Sequence, residues 1–130
     1  MKIKNLYFSP VKSLSFNNVD NLEIIKNIGI KNDRIFAFTN NLNLKDIELI
    51  KNNPLKREIY KFLSLKKYPE LNQYNFLLED NFLILEFENK IILKTDIDNQ
   101  HEVKILCSKL EGILPNINKI NLLKDRVNPF

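Results

Sequence analysis

The sequence predicts a mainly β fold, a small antiparallel β-barrel carrying one or two short helices, and three observations predict it. Short apolar runs recur through the first two thirds of the chain, each ended by Asn, Asp, Pro or Gly. Three of these runs, 75–79, 82–87 and 90–95, are separated only by Asp80-Asn81 and Glu88-Asn89. Such two-residue polar links suit tight hairpins, and Asn tolerates the positive φ that those turns need. Length sets the scale: 130 residues allow one domain with a real core and are too short for two comfortable ones.

Taken in order, 4–8, 22–25, 35–39 and 61–65 read as strands, and the three hairpin runs follow. Evenly spaced short strands of this kind close as a barrel or stack as a sandwich. Helical signals are sparse. Residues 46–51 form a weak short candidate. Residues 101–110 form a better one, because Val103, Leu106, Cys107 and Leu110 fall on one face. Asn99 is placed as N-cap with Glu102 three residues on, in the manner of a capping box, and Gly112 suits the stop. The tail adds one apolar stretch, 120–123, before Lys124-Asp125-Arg126. The expected division is a barrel over 1–100 and a helix plus strand-like tail over 101–130, the latter the start of a second domain.

Composition removes several function classes. No apolar run approaches the roughly 18 residues of a membrane span, and Met1-Lys2-Ile3-Lys4-Asn5 has no apolar stretch behind it to form a signal peptide. A single cysteine, Cys107, makes no internal disulfide, and the expected location is the reducing cytoplasm. One cysteine and one histidine exclude four-cysteine zinc sites and His-rich metal cages. The net charge of +4 invites a nucleic-acid reading. However, 17 lysines stand against 3 arginines, beside 20 Asn, 17 Ile and one Ala, the skew of AT-rich codons. Acidic residues are interspersed rather than segregated from a basic stripe, so nucleic acid is not the expected partner.

Two segments carry chemistry. In Ser9-Pro10-Val11-Lys12-Ser13-Leu14 a proline ends a strand, and an ammonium then sits beside a hydroxyl. In Gly29-Ile30-Lys31-Asn32-Asp33-Arg34 an acid–base pair stands at the mouth of the strand 35–39. Lysine, serine and arginine together supply a point charge, a hydroxyl and a bidentate fork, which suits a phosphate. On residue types alone the plainer reading, a solvated loop lysine and a structural Asp33–Arg34 ion pair, outweighs it. Elsewhere the signals are bland. His101 reads as a surface histidine; Glu79, Asp80, Glu86 and Glu88 as a solvated face; Phe36, Phe38, Phe76, Phe82 and Phe87 as core. With only Gly29 and Gly112 there is no Gly-rich phosphate loop.

Phe8-Ser9-Pro10-Val11-Lys12-Ser13-Leu14 followed by Gly29-Ile30…Asp33-Arg34-Ile35-Phe36 resembles the N-terminal β-barrel domain of the MOSC family. MOSC denotes the molybdenum cofactor sulfurase C-terminal domain, and the family includes the mitochondrial amidoxime-reducing component. Ser64-Leu65-Lys66-Lys67-Tyr68-Pro69-Glu70-Leu71 resembles a third family element, Thr-x-Arg-x-x-Pro-x-Leu, and a hairpin over 77–85 falls where the family has one. The likeness covers roughly residues 1–95. It implies a β-barrel forming one wall of a molybdenum cofactor (molybdopterin) site, with Lys12, Ser13 and Arg34 as cofactor-binding residues. It also implies a partner, a MOSC catalytic domain, either following in the chain or supplied separately, and an oxidoreductase or sulfur-transfer reaction.

The departures narrow that expectation. The family's molybdenum-ligating thiolate lies in the second domain, and Cys107 on an apolar helix face is expected to be a buried, inert thiol. The chain alone is therefore expected to be inactive. Lys66 or Lys67 stands where an arginine is common, and 42–60 has no assigned role. The alternative is a non-catalytic binding or assembly module, motivated by the apolar segment 113–123.

Overall fold

The computed structural model of the chain describes residues 6–60, 62–115, 117 and 119–130. Lys4 and Asn5 of the first expected strand, and Lys61 of the fourth, lie outside them.

The mainly β class holds, with antiparallel sheets and two α-helices. The chain opens with β1 (Leu6–Phe8) paired to β2 (Asn17–Val19), then a two-residue ladder of β3 (Ile24–Ile25) with β4 (Gly29–Ile30). β5 (Phe36–Asn40) pairs with the last strand, β9 (Ile120–Lys124). Between them come α1 (Leu44–Asn52), 3-10 turns at Pro54–Ile59 and Pro69–Gln73, and the meander β6 (Tyr74–Glu79), β7 (Phe82–Phe87) and β8 (Lys90–Asp96). α2 (Gln100–Ile113) then leads into β9. Among the described residues the strands form four separate ladders and do not close into a barrel.

β5 is the organising strand. Phe36, Ala37, Phe38 and Thr39 are all buried, because layers cover both of its faces. Phe36 and Phe38 enter the main core with Val11, Leu63, Phe76, Leu85, Leu106 and Leu110. Ala37 turns to a smaller cluster with Ile47, Ile50, Phe62 and Leu123. The alternation follows from the period-2 geometry of a strand. It also gives 42–60 a role, since α1 supplies Ile47 and Ile50 as the lid on that second face. Residues 101–130 share the main core through Leu106, Leu110, Leu114, Ile117 and Ile120.

Local details depart from the sequence reading in four places. Residues 62–65 are not a strand: Phe62 makes one antiparallel bridge to Thr39, and the Leu63 and Leu65 amides donate to the Phe38 and Ser13 carbonyls. Asn99 does cap α2, accepting from the His101 and Glu102 amides, but Glu102 reaches back to the Asp96 amide instead of closing a reciprocal box. Gly112 lies inside the helix, which continues to Ile113. In the first hairpin link it is Asp80 that takes positive φ. Asn81 instead donates to the Asp96 and Asp98 carboxylates, both at 2.8 Å, tying that turn to the end of β8. No helix among the described residues is long and apolar enough to cross a membrane.

Candidate functional site

The two chemistry-bearing segments lie side by side. The Arg34 amide donates to the Ser9 carbonyl at 2.6 Å, the Phe36 amide to the Pro10 carbonyl at 3.0 Å, and the Lys12 amide to the Phe36 carbonyl at 2.8 Å. Val11 and Phe36 form a parallel bridge. Pro10 fits this arrangement because it offers a carbonyl and has no N–H to leave unpaired. The 11–14 turn closes through the Leu14 amide on the Val11 carbonyl, while Val11 and Leu14 anchor it in the core. Lys12 and Ser13 therefore sit on a rigid turn facing outward.

Asp33 locks the second segment to the first. One carboxylate oxygen accepts the Ser9 amide at 2.9 Å, and the other accepts Arg34 Nε at 3.0 Å. The ion pair in the plainer reading is thus present, and it is structural on the Asp33 side. It uses one edge of the guanidinium only. The Arg34 terminal nitrogens have no partner among the described residues, and the side chain is 58% exposed. Lys12 has no carboxylate partner there either. These residues line one cleft of about 350 Å3 together with Ser13, Tyr7 and Phe16. All three expected site residues, Lys12, Ser13 and Arg34, are brought together.

Backbone conformation sharpens the picture. Of the positive-φ residues outside glycine, all but three are Asn or Asp, which adopt that region readily. The three are Glu88, in a hairpin turn, and Ser13 (φ 58) and Arg34 (φ 51), both in the cleft. Left-handed backbone at a serine or arginine costs on the order of 1 kcal/mol, and such strain concentrates where a side chain must be aimed.

No protein-family model, curated protein or solved structure matches the chain.

The chemistry must therefore be read from the cleft itself. Two cations face a single carboxylate that is already bonded twice, so the cleft favours an anion. A phosphate monoester fits the donor set: an ammonium, a hydroxyl and the free edge of a guanidinium. Tyr7 and Phe16, which the sequence reading passed over, give the cleft an aromatic rim, 52% and 70% exposed. Tyr7 was detectable in principle, as the outward member of an alternating strand; Phe16 carried no such signal.

Other candidates are placed apart. Lys66 and Lys67 are exposed and do not line the cleft; Lys67 lies 5.7 Å over the Tyr68 ring. Cys107 is buried in the core, and burial pushes its thiol up to about 11, which keeps it protonated and unreactive. Among the described residues no group of three or more His, Cys, Asp or Glu is placed to hold a metal. His101 is exposed at the start of α2.

A second basic feature lies next to the cleft. Arg57 is 7% exposed, and its guanidinium donates to the Ile50 carbonyl at 3.0 Å, to Asp125 Oδ2 at 2.6 Å and to the Asn128 carbonyl. It also stacks 4.3 Å from the Phe130 ring centroid. Burial raises the Asp125 carboxyl, but the Asn128 and Val127 amides and the Arg57 guanidinium outweigh it and hold the group below its usual range. The tail so pinned returns to the site, for the Phe130 amide donates to the Arg34 carbonyl at 2.8 Å.

Proposed function

We propose that the cleft binds the phosphate monoester of a pterin cofactor, and that the chain forms one wall of a molybdenum-cofactor site of the MOSC type in a cytoplasmic protein. The observation that carries this reading is the convergence of Lys12, Ser13 and Arg34 on one cleft, with Ser13 and Arg34 both held in left-handed backbone. In this role Lys12 contributes charge, Ser13 a hydroxyl, and Arg34 the two nitrogens that Asp33 leaves free. Asp33 is a positioning residue, since it fixes both the Ser9 backbone and the guanidinium plane. Molybdopterin, when it carries molybdenum, supplies the redox centre. This chain grips and orients the cofactor, and a partner MOSC domain brings the metal-ligating thiolate, because Cys107 is out of reach in the core.

Titration of the chain with a phosphorylated pterin, followed by backbone amide NMR, tests the reading. Shifts should centre on residues 12–14 and 33–35, and affinity should weaken with added salt. Lys12→Ala combined with Arg34→Ala should reduce affinity by about a hundredfold, from two charge-assisted contacts. Shifts centred elsewhere, or none at millimolar ligand, would sink it.

The exposed rim favours a second reading, an assembly module without catalysis. Tyr7 and Phe16 present apolar surface at the cleft, and a partner seated there would cover them. Light scattering with candidate MOSC domains decides whether such a complex forms without any pterin present.

A further inference from the structure

Lys12 faces two compartments. One is the cleft already described. The other, about 420 Å3, is lined by Lys12, Arg57, Tyr60, Phe62 and Phe130 and by two prolines, Pro54 and Pro129. Its size falls in the range of small-molecule sites, and apart from Lys12 and Arg57 its lining is aromatic side chains and prolines. Phe62 and Phe130 meet edge-on, 5.7 Å between centroids, so their positions are fixed. Each of the three Arg57 guanidinium nitrogens already donates to a protein oxygen, of Ile50, Asp125 or Asn128. The Lys12 ammonium lies 5.8 Å from the Phe62 ring centroid and has no carboxylate partner among the described residues.

We propose that this second compartment binds a small carboxylate with a flat aromatic body. The carboxylate sits on the Lys12 ammonium and the ring lies against Phe62 and Phe130. Arg57 already has Asp125 as its counter-ion, so Lys12 is the lining cation left without a carboxylate among the described residues, which matches a monoanion. No serine or threonine hydroxyl lines the compartment to help grip a phosphate. Aromatic walls match an aromatic body. Because the same ammonium serves both compartments, an anion in one opposes an anion in the other, and linkage makes the effect reciprocal. This proposal shares only Lys12 with the phosphate reading and does not depend on it.

The test is an amide NMR titration of the full chain with sodium benzoate at constant ionic strength, without and with inorganic phosphate. Benzoate should shift the amides of Lys12, Tyr60, Phe62 and Phe130, and bound phosphate should weaken benzoate severalfold, with benzoate weakening phosphate by the same factor. Lys12→Ala should cost benzoate about tenfold. Phe62 is a core residue and its truncation risks the fold, so the blocking variant is Tyr60→Trp. Half-buried Tyr60 can take the added bulk, and this variant should lose benzoate while phosphate still shifts Ser13 and Arg34. Benzoate shifts confined to Tyr7, Ser13 and Arg34, or none up to roughly 50 mM, overturn the proposal. So does a benzoate affinity untouched by phosphate that demonstrably binds. Benzoate shifts in this compartment with no phosphate binding anywhere would uphold it and remove the phosphate reading instead.

Discussion

Arg57 and Arg34 lie on neighbouring segments, and the chain uses them in opposite ways. Arg57 is 7% exposed, and its guanidinium is held by one carboxylate and two backbone carbonyls. Arg34 keeps 58% of its side chain in solvent and spends one N–H on Asp33. Arg57 sits in the 3-10 turn Pro54–Ile59, whereas Arg34 takes a left-handed φ of 51°. A buried arginine with a protein acceptor on each of its three nitrogens is a structural fastener. An exposed arginine held at a backbone cost, with two nitrogens unbonded among the described residues, is a group kept in reserve for a ligand. The contrast separates what holds this fold from what the fold holds out.

The largest expected effect breaks the fastener. Arg57→Met should destabilise the chain by about 3 kcal/mol, because it strands the Ile50 and Asn128 carbonyls and leaves Asp125 without its cation. Arg34→Met should change stability by less than about 0.5 kcal/mol, as for exposed pairs generally. Urea unfolding of both variants checks the pair, and equal losses would mean that the two arginines do not differ in role.

The acid side of the same fastener comes next. Asp125→Asn should cost about 2 kcal/mol at neutral pH, since it leaves a buried guanidinium without its counter-ion. The wild-type carboxyl is held below its ordinary 3.8 in the folded state. It therefore contributes stability that is complete above that value and lost as pH falls through the depressed folded value. Melting temperatures measured from about pH 5 down to pH 2 should show the gap between wild type and Asp125→Asn closing as the solution becomes more acid. A constant gap would mean that Asp125 is not the titrating partner.

How much of this was legible in the sequence follows from the range of each signal. The meander was readable because Asp80-Asn81 and Glu88-Asn89 join strands that are neighbours in the chain; 82–87 matches β7 in full. The β5–β9 ladder was not, because Phe36 pairs with Lys124 and nothing local announces that register. β2 and β4 are too short, three and two residues, to leave a pattern. At the site, residue types singled out the two segments, and the family resemblance named Lys12, Ser13 and Arg34 within them. Their convergence depended on long-range backbone bonds such as Arg34 to Ser9. Arg57 escaped notice since its partners Asp125 and Asn128 lie 68 and 71 residues away. A charged residue without a local partner looks like any other surface cation.

On the reserve side, Lys12→Ala alone should lower affinity for a phosphorylated pterin by about tenfold while leaving the unfolding midpoint within about 1 °C, the signature of a group that serves a ligand and not the fold. Calorimetric titration beside a thermal melt reads both numbers from one preparation. A stability loss matching the affinity loss would return Lys12 to the structural class.

The smallest effect is the most discriminating for the strain argument. Ser13 holds φ 58 on a turn whose neighbours Val11 and Leu14 are buried, so the core imposes the conformation. Glycine accepts that backbone without the steric cost, about 1 kcal/mol, and part of the gain returns to the freer unfolded chain. Ser13→Gly should therefore raise stability by about 0.5 kcal/mol, or roughly 2 °C in a melt. It should also weaken phosphate binding slightly through the lost hydroxyl. Gain of stability with loss of affinity is the trade expected where backbone strain is kept for a ligand. If Ser13→Gly instead destabilises the chain, the serine is supporting its own turn, and the left-handed backbone of the cleft no longer distinguishes it from the hairpin at Glu88.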